Sequence, residues 1–108
     1  MSVIPEILEE SFQEEVLQSP VPVLVEFGAT WCAPCKMLEP ILGQLAQEWR
    51  DKIRMVKIDV DQATNLTMQY QVMSVPTLIL FKQSQPKERM SGFQPKDRIS
   101  GKIAPHLG

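Results

Sequence analysis

The chain contains two cysteines, Cys32 and Cys35, separated only by Ala33 and Pro34. Their setting constrains the fold more than any other stretch. An apolar run from Val21 to Phe27 precedes them, and a helical pattern from Met37 to Trp49 follows. Val23-Leu24-Val25-Glu26-Phe27 is nearly continuous in apolar residues, as in a strand covered on both faces of a parallel α/β sheet. Leu38, Ile41, Leu42, Leu45 and Trp49 recur at helical spacing. The two thiols therefore stand at a strand-to-helix junction, where a disulfide can form and break.

The remaining segments extend this alternation. Val3 and Ile4 read as a short first strand. Ser11 with Glu14 fits a capping box before a short helix that carries Phe12, Val16 and Leu17. That helix ends at Ser19-Pro20-Val21-Pro22, because proline cannot continue it. Pro40 should bend the helix after the cysteines, and Gly43 weakens it. Ile53 to Val60 reads as a buried strand with Lys57 inside it, Ala63 to Tyr70 as a short helix, and Thr77 to Phe81 as a strong strand. Lys87 to Ser91 is a polar strand, and Pro86 at its start argues for a sheet edge. Pro95 opens a last helix carrying Ile99 and Ile103. The order predicts parallel crossovers first and an antiparallel hairpin last, in a mixed sheet with helices on both faces. With 108 residues, residues 1–108 read as one domain.

A Cys-x-x-Cys pair in this context points to redox chemistry. Cys32 lies at or just before the first helical turn, where free N–H groups and the helix dipole stabilise a thiolate. The thiolate is the nucleophile of disulfide exchange. Cys35, one turn later, can attack the sulfur of Cys32 and resolve a mixed disulfide, and is expected to be the more buried thiol. Pro34 stiffens the loop and permits the helix start. Other uses of the pair fit less well. Zinc wants about four ligands, and the chain offers two cysteines and His106. Iron–sulfur ligation fails on the same ground within one chain. Covalent haem attachment wants histidine where Lys36 stands. A purely structural disulfide would close too small a loop to stabilise much. No metal and no cofactor are expected. Scattered lysines and arginines, with a net charge of −2, give no reason to expect nucleic-acid binding. No stretch approaches the ~20 apolar residues that span a bilayer, and Met1 to Glu10 does not read as a secretory signal. A reducing, cytoplasmic setting is expected.

Three further residues invite a role. Glu26 sits within the apparently buried strand. A buried carboxyl has a raised pKa and could take the proton of Cys35 near neutral pH. Lys57 intrudes into the next strand in the same way. A buried Glu26–Lys57 pair would explain both, as would two independent surface positions; the pair is favoured. Val75-Pro76 stands before a strand, a place for a functional cis bond, although a trans proline is the commoner expectation from sequence.

Taken together these residues resemble the thioredoxin family. The resemblance covers nearly the whole chain. It is carried by Val25-Glu26-Phe27, Ala29, Trp31-Cys32-Ala33-Pro34-Cys35-Lys36, Pro40, Lys57-Ile58-Asp59-Val60-Asp61, Val75-Pro76-Thr77, Phe81-Lys82 and Gly92. It implies a thioredoxin fold, a central mixed five-stranded sheet in the order 1-3-2-4-5 flanked by four helices. It implies a cis Pro76 facing the cysteines, Cys32 as nucleophile and Cys35 as resolving thiol. Trp31, Val75 and Gly92 would rim an apolar docking surface, with Ala33, Pro34 and Pro76 also contacting substrate. Four departures stand out. Ala33 replaces the usual glycine, and Glu26 replaces the usual aspartate. Gly28 stands where many members carry an aromatic residue. Gln83-Ser84 replaces a common Asn-Gly turn, so the last hairpin is expected to turn differently.

The leading expectation is a monomeric protein disulfide reductase that acts on protein disulfides. It would be recharged by an NADPH- or ferredoxin-dependent thioredoxin reductase. A thiol oxidase or isomerase on the same fold is the alternative, since direction depends on redox potential. A third reading is a binding module that uses the rim around Trp31 without turnover.

Overall fold

The computed structural model describes residues 4–108. Its sheet is built from β1 (Val23–Gly28), β2 (Arg54–Asp59), β3 (Thr77–Lys82) and β4 (Gln85–Ser91), in the order β2-β1-β3-β4. β1 and β2 are parallel; β3 is antiparallel to both β1 and β4. Helices α1 (Ala33–Glu48), α2 (Thr64–Gln69) and α3 (Lys96–Ile103) complete the layers.

Four strands stand where five were expected among the described residues. In place of the first strand, Glu6 makes an isolated parallel bridge to Lys57 on the outer edge of β2. Two backbone bonds hold it, from the Ile7 N–H to Lys57 O and from the Lys57 N–H to Pro5 O, each 2.9 Å. Pairing stops there because Pro5 has no N–H to donate and the chain turns into a 3-10 segment at Glu9–Ser11. Val3, assigned to that strand from sequence, lies outside the described residues. The fourth helix is likewise irregular: Glu9–Ser11 is 3-10 and Gln13–Leu17 is π-helical. The Ser11–Glu14 capping box does not form, since Ser11 lies inside the 3-10 turn and neither segment has a side-chain cap.

Alternation along β1 divides the core. Val23, Val25 and Phe27 face one cluster, with Phe12, Val16, Leu66 and Phe81. Leu24 faces the other, with Leu38, Leu42, Leu45, Leu78, Ile99 and Ile103. Side chains two apart on a strand share a face, so Glu26 and Gly28 lie on the Leu24 side, under α1. On the opposite face the rings of Phe12, Tyr70 and Phe81 form a trio with centroids 5.1–5.6 Å apart.

The N-terminal segment also caps α2. Glu9 Oε1 accepts from the Asn65 and Leu66 N–H groups at 3.0 and 3.2 Å, and Glu9 Oε2 accepts from Asn65 Nδ2. These N–H groups would otherwise lack intrahelical partners. Glu9→Ala is expected to cost about 1 kcal/mol of stability, read as a lower urea midpoint. An unchanged midpoint would mean that water replaces the carboxylate fully.

The last hairpin does not turn differently, contrary to expectation. Gln83 and Ser84 form a two-residue loop with φ of 55° and 68°, the primed geometry that Asn-Gly favours. Left-handed backbone is unfavourable for these side chains, and one bond offsets it: Ser84 Oγ donates to Leu17 O. Pro86 lies inside β4, on the sheet edge, where its missing donor is tolerated.

Candidate active site

Cys32 is the N-cap of α1, with Ala33 and Pro34 filling the first two helical positions. The helix therefore starts four residues earlier than its apolar periodicity indicated, and it runs through Pro40 without interruption. The Cys35 N–H donates to Cys32 Sγ at 3.2 Å, so the sulfur takes the place of a capping oxygen. Cys32 and Cys35 are joined as a disulfide, with Cα atoms 5.3 Å apart. Both are buried, and Cys35 is not appreciably more so than Cys32. Ala33 and Pro34 are exposed beside them.

Two strands bring a carboxyl, Glu26, and a lysine, Lys57, beneath the pair. Glu26 is 1% exposed, and neither of its carboxylate oxygens has a hydrogen-bond partner. Lys57 lies directly across from it in the β1–β2 register. The expected Glu26–Lys57 pair is nonetheless not what forms. Lys57 Nζ is 3.5 Å from Glu39 Oε1, on α1. Glu39 is half-buried and reaches this place because it follows Cys35 by one helical turn, on the same face. That i,i+4 spacing was present in the sequence and is the signal that could have found it. The Glu26 carboxyl is pushed up to about 7, first by burial and second by the neighbouring Glu39 carboxylate, with Lys57 opposing them. Opposite effects are therefore expected from two neighbours. Glu39→Gln should lower the Glu26 pKa and Lys57→Met should raise it. Carboxyl NMR titration reads both, and shifts of the same sign would contradict this assignment of causes.

A second group of residues lies around the turn into β3. The Val75–Pro76 peptide bond is cis rather than the trans that sequence alone favours. Pro76 O accepts from the Gly92 N–H at 2.7 Å, which holds Gly92 against it, and Gly92 has φ +81°. Val75 is half-buried and Pro76 buried. Met73 and Phe93 were not singled out from sequence, yet both are exposed and flank these residues in the chain. Their signal was weak: a single apolar residue in a loop is ordinary.

Trp31 is 68% exposed. Its ring is held by a bond from Nε1 to Asp61 Oδ2 at 2.8 Å. Asp61 is itself positioned by its N–H donating to Asp59 Oδ1 at 2.9 Å. The loop after β2 thus fixes the tryptophan beside the cysteines, a role for Asp61 that sequence reasoning missed. Among the described residues no cluster of three or more His, Cys, Asp or Glu could hold a metal ion. No helix there is long and apolar enough to cross a membrane.

Comparison with known proteins points to a family. The thioredoxin family model matches residues 3–105. Thioredoxin 1 of Synechococcus elongatus is 37% identical over 107 residues, covering 99% of this chain and 100% of that protein. A thioredoxin-like protein of Synechocystis is 52% identical over 84 residues, 78% of this chain and 80% of its own length. A thioredoxin of Staphylococcus aureus is 46% identical over 84 residues, 78% of this chain and 81% of its own.

Proposed function

Since the chain belongs to the thioredoxin family, we propose that this thiol–disulfide oxidoreductase works as a reductase of protein disulfides. Family members are protein-disulfide reductases. The observation that carries the assignment of roles is the capping of α1 by Cys32 itself, with the Cys35 N–H directed at its sulfur. After reduction, that N–H and the helix N-terminus stabilise a thiolate on Cys32. The thiolate attacks a target disulfide, forming a mixed disulfide and releasing one target thiolate. Cys35 then attacks Cys32 Sγ, restoring the Cys32–Cys35 bond and releasing the second target sulfur.

Glu26 acts as the base for Cys35 in this reading. Cys35 Sγ and Glu26 Oε2 lie 3.1 and 3.5 Å from the point where a Cβ on Gly28 would stand. Both therefore border one small space, within reach of a water-mediated proton transfer. A carboxyl near pKa 7 can accept and return a proton at neutral pH. Lys57 is a positioning residue here, through its pair with Glu39. Exposed Trp31, Ala33 and Pro34, together with Val75, Pro76 and Gly92, form the docking surface for an extended target segment.

The chain has no cysteine beyond the exchanging pair, which fits a monomer working in a reducing cytoplasm. Electrons come from a thioredoxin reductase. The test is a protein-disulfide reduction assay, run with a chemical reductant and with NADPH- and ferredoxin-dependent reductases. Activity in the first arm and in one of the others is expected. Equilibration with a glutathione redox buffer tests direction: ready reduction by glutathione would mean an oxidase or isomerase instead.

A further inference from the structure

Arg89 reaches from β4 to the end of α2. The residue is exposed, yet both terminal nitrogens of its guanidinium are engaged. Nη1 donates to Gln71 O at 3.3 Å, and Nη2 donates to Tyr70 O. Tyr70 is the C-cap of α2, and Gln71 follows it with a left-handed φ of 54°. Carbonyls at the end of a helix lack intrahelical donors. The planar fork of an arginine can serve two of them at once, whereas an ammonium group is a point charge. Both bonds go to backbone carbonyls, and neither goes to a group of the exchange chemistry.

The residues clamped in this way lead into the docking surface. Residues 71–75 join α2 to the cis Val75–Pro76 bond. The far end of this segment is fixed by two bonds of 2.7 Å. Thr77 Oγ1 donates to Ser74 O, and the Gly92 N–H donates to Pro76 O. At the near end Val72 is buried, and its N–H donates to Thr67 O at 2.9 Å. Arg89 adds the tie between that end and the sheet. Arg89 and Gly92 are three residues apart, so β4 and the residue after it hold both ends of the segment. Between the ties Met73 is 92% exposed and Val75 half-buried. A segment already ordered in the free protein binds without the entropy cost of ordering it.

We propose that Arg89 is a positioning residue for polypeptide targets: its bonds to Tyr70 O and Gln71 O hold residues 71–75 in the conformation that presents Met73 and Val75 beside the cis Pro76. The inference rests on the reading of Val75, Pro76 and Gly92 as the docking surface. Loss of the guanidinium frees two carbonyls at the end of α2 and lets the segment leave that conformation. Capture of an extended target weakens. The sulfur exchange at Cys32 and Cys35 is untouched, because their helix N-terminus and Glu26 belong to α1 and β1. A disulfide too small to lie along residues 71–75 does not register the change.

The experiment oxidises the pre-reduced full chain with increasing concentrations of a disulfide-bonded extended peptide or of hydroxyethyl disulfide. Rates are read from the loss of protein thiols in quenched samples. Arg89→Ala should raise the half-saturating concentration of the peptide about threefold or more. Its maximal rate, and the rate with hydroxyethyl disulfide, should match the parent. Arg89→Lys keeps the charge without the fork and should recover at least part of the loss. Amide hydrogen exchange at Gln71 and Val72 should be faster in Arg89→Ala, with α1 unchanged. The proposal is overturned by an unchanged half-saturation for the peptide, by an equal loss with both disulfides, by a lysine variant no better than alanine, or by unchanged exchange at Gln71 and Val72. If the parent reacts with the peptide and Arg89→Ala behaves like it, the positioning role fails alone. If the parent leaves the peptide disulfide intact, the reductase reading fails.

Discussion

Cys35→Ser is expected to stop turnover and leave target proteins covalently attached to the chain through Cys32. The reason lies in the division of labour proposed for the two sulfurs. Cys32 retains its place at the helix N-terminus, so its thiolate still forms and still attacks a target disulfide. Without the thiol one turn later, nothing within the chain breaks the mixed disulfide. Non-reducing electrophoresis should show adducts that dithiothreitol releases, and Cys32→Ser should show none. Turnover in each variant should fall to the level of uncatalysed exchange. Partners captured equally well by a chain lacking both cysteines would instead favour a binding module acting through the exposed surface around Trp31, Met73 and Phe93.

The second large effect concerns Glu26 and pH. Its carboxyl titrates near 7 in the folded chain against 4.5 for the free group. The native state therefore holds this proton more tightly than the unfolded state does. Its contribution to stability is fully present below pH 4.5 and is lost as pH rises through 7. The loss amounts to about 3 kcal/mol at pH 8. Glu26→Gln removes the titration but keeps the size and a polar end. Relative to the parent, the variant should therefore gain about 3 kcal/mol between pH 4 and pH 8, measured by urea unfolding of the oxidised chain. Whatever a buried glutamine amide costs is the same at both pH values and drops out of the comparison. A stability difference independent of pH would show that Glu26 is ionised as easily folded as unfolded. The same variant should slow resolution by Cys35 near neutral pH, because the base is gone. The chain thus carries, beside Cys35, a buried carboxyl whose ionisation near neutral pH is unfavourable.

How much of this was legible beforehand depended on the range of the interactions. The β1 and α1 patterns, the Cys32–Cys35 spacing and the edge position implied by Pro86 all rest on neighbours within a turn or two of chain. Each was readable because period 2 and period 3.6 record which residues share a face. The cap on α2 was not readable, since Glu9 serves Asn65 from more than fifty residues away. Nor was the hairpin geometry: Gln83-Ser84 carries no primed-turn signal, and its stabilising bond goes to Leu17. The first strand shrank to one bridge because pairing at β2 depends on how the N-terminal segment leaves the sheet.

The cysteine pair shows the same division at the site itself. The amino-acid sequence by itself determined that two thiols one turn apart would begin a helix after a buried strand, with Pro34 in its first turn and Glu26 two residues before Gly28. That follows from local geometry alone. Only the tertiary structure decided which charge lies against which. Lys57 could meet Glu26 or Glu39, and the packing of α1 across the sheet gave it to Glu39. This left Glu26 buried without a partner and raised its pKa. The small space bordered by Cys35 and Glu26 likewise exists only where one face of β1 and β2 meets one face of α1. Spacing along the chain can place a residue on each of those faces. It cannot say how closely the faces approach, and that distance sets both the burial of Glu26 and the room left beside Cys35.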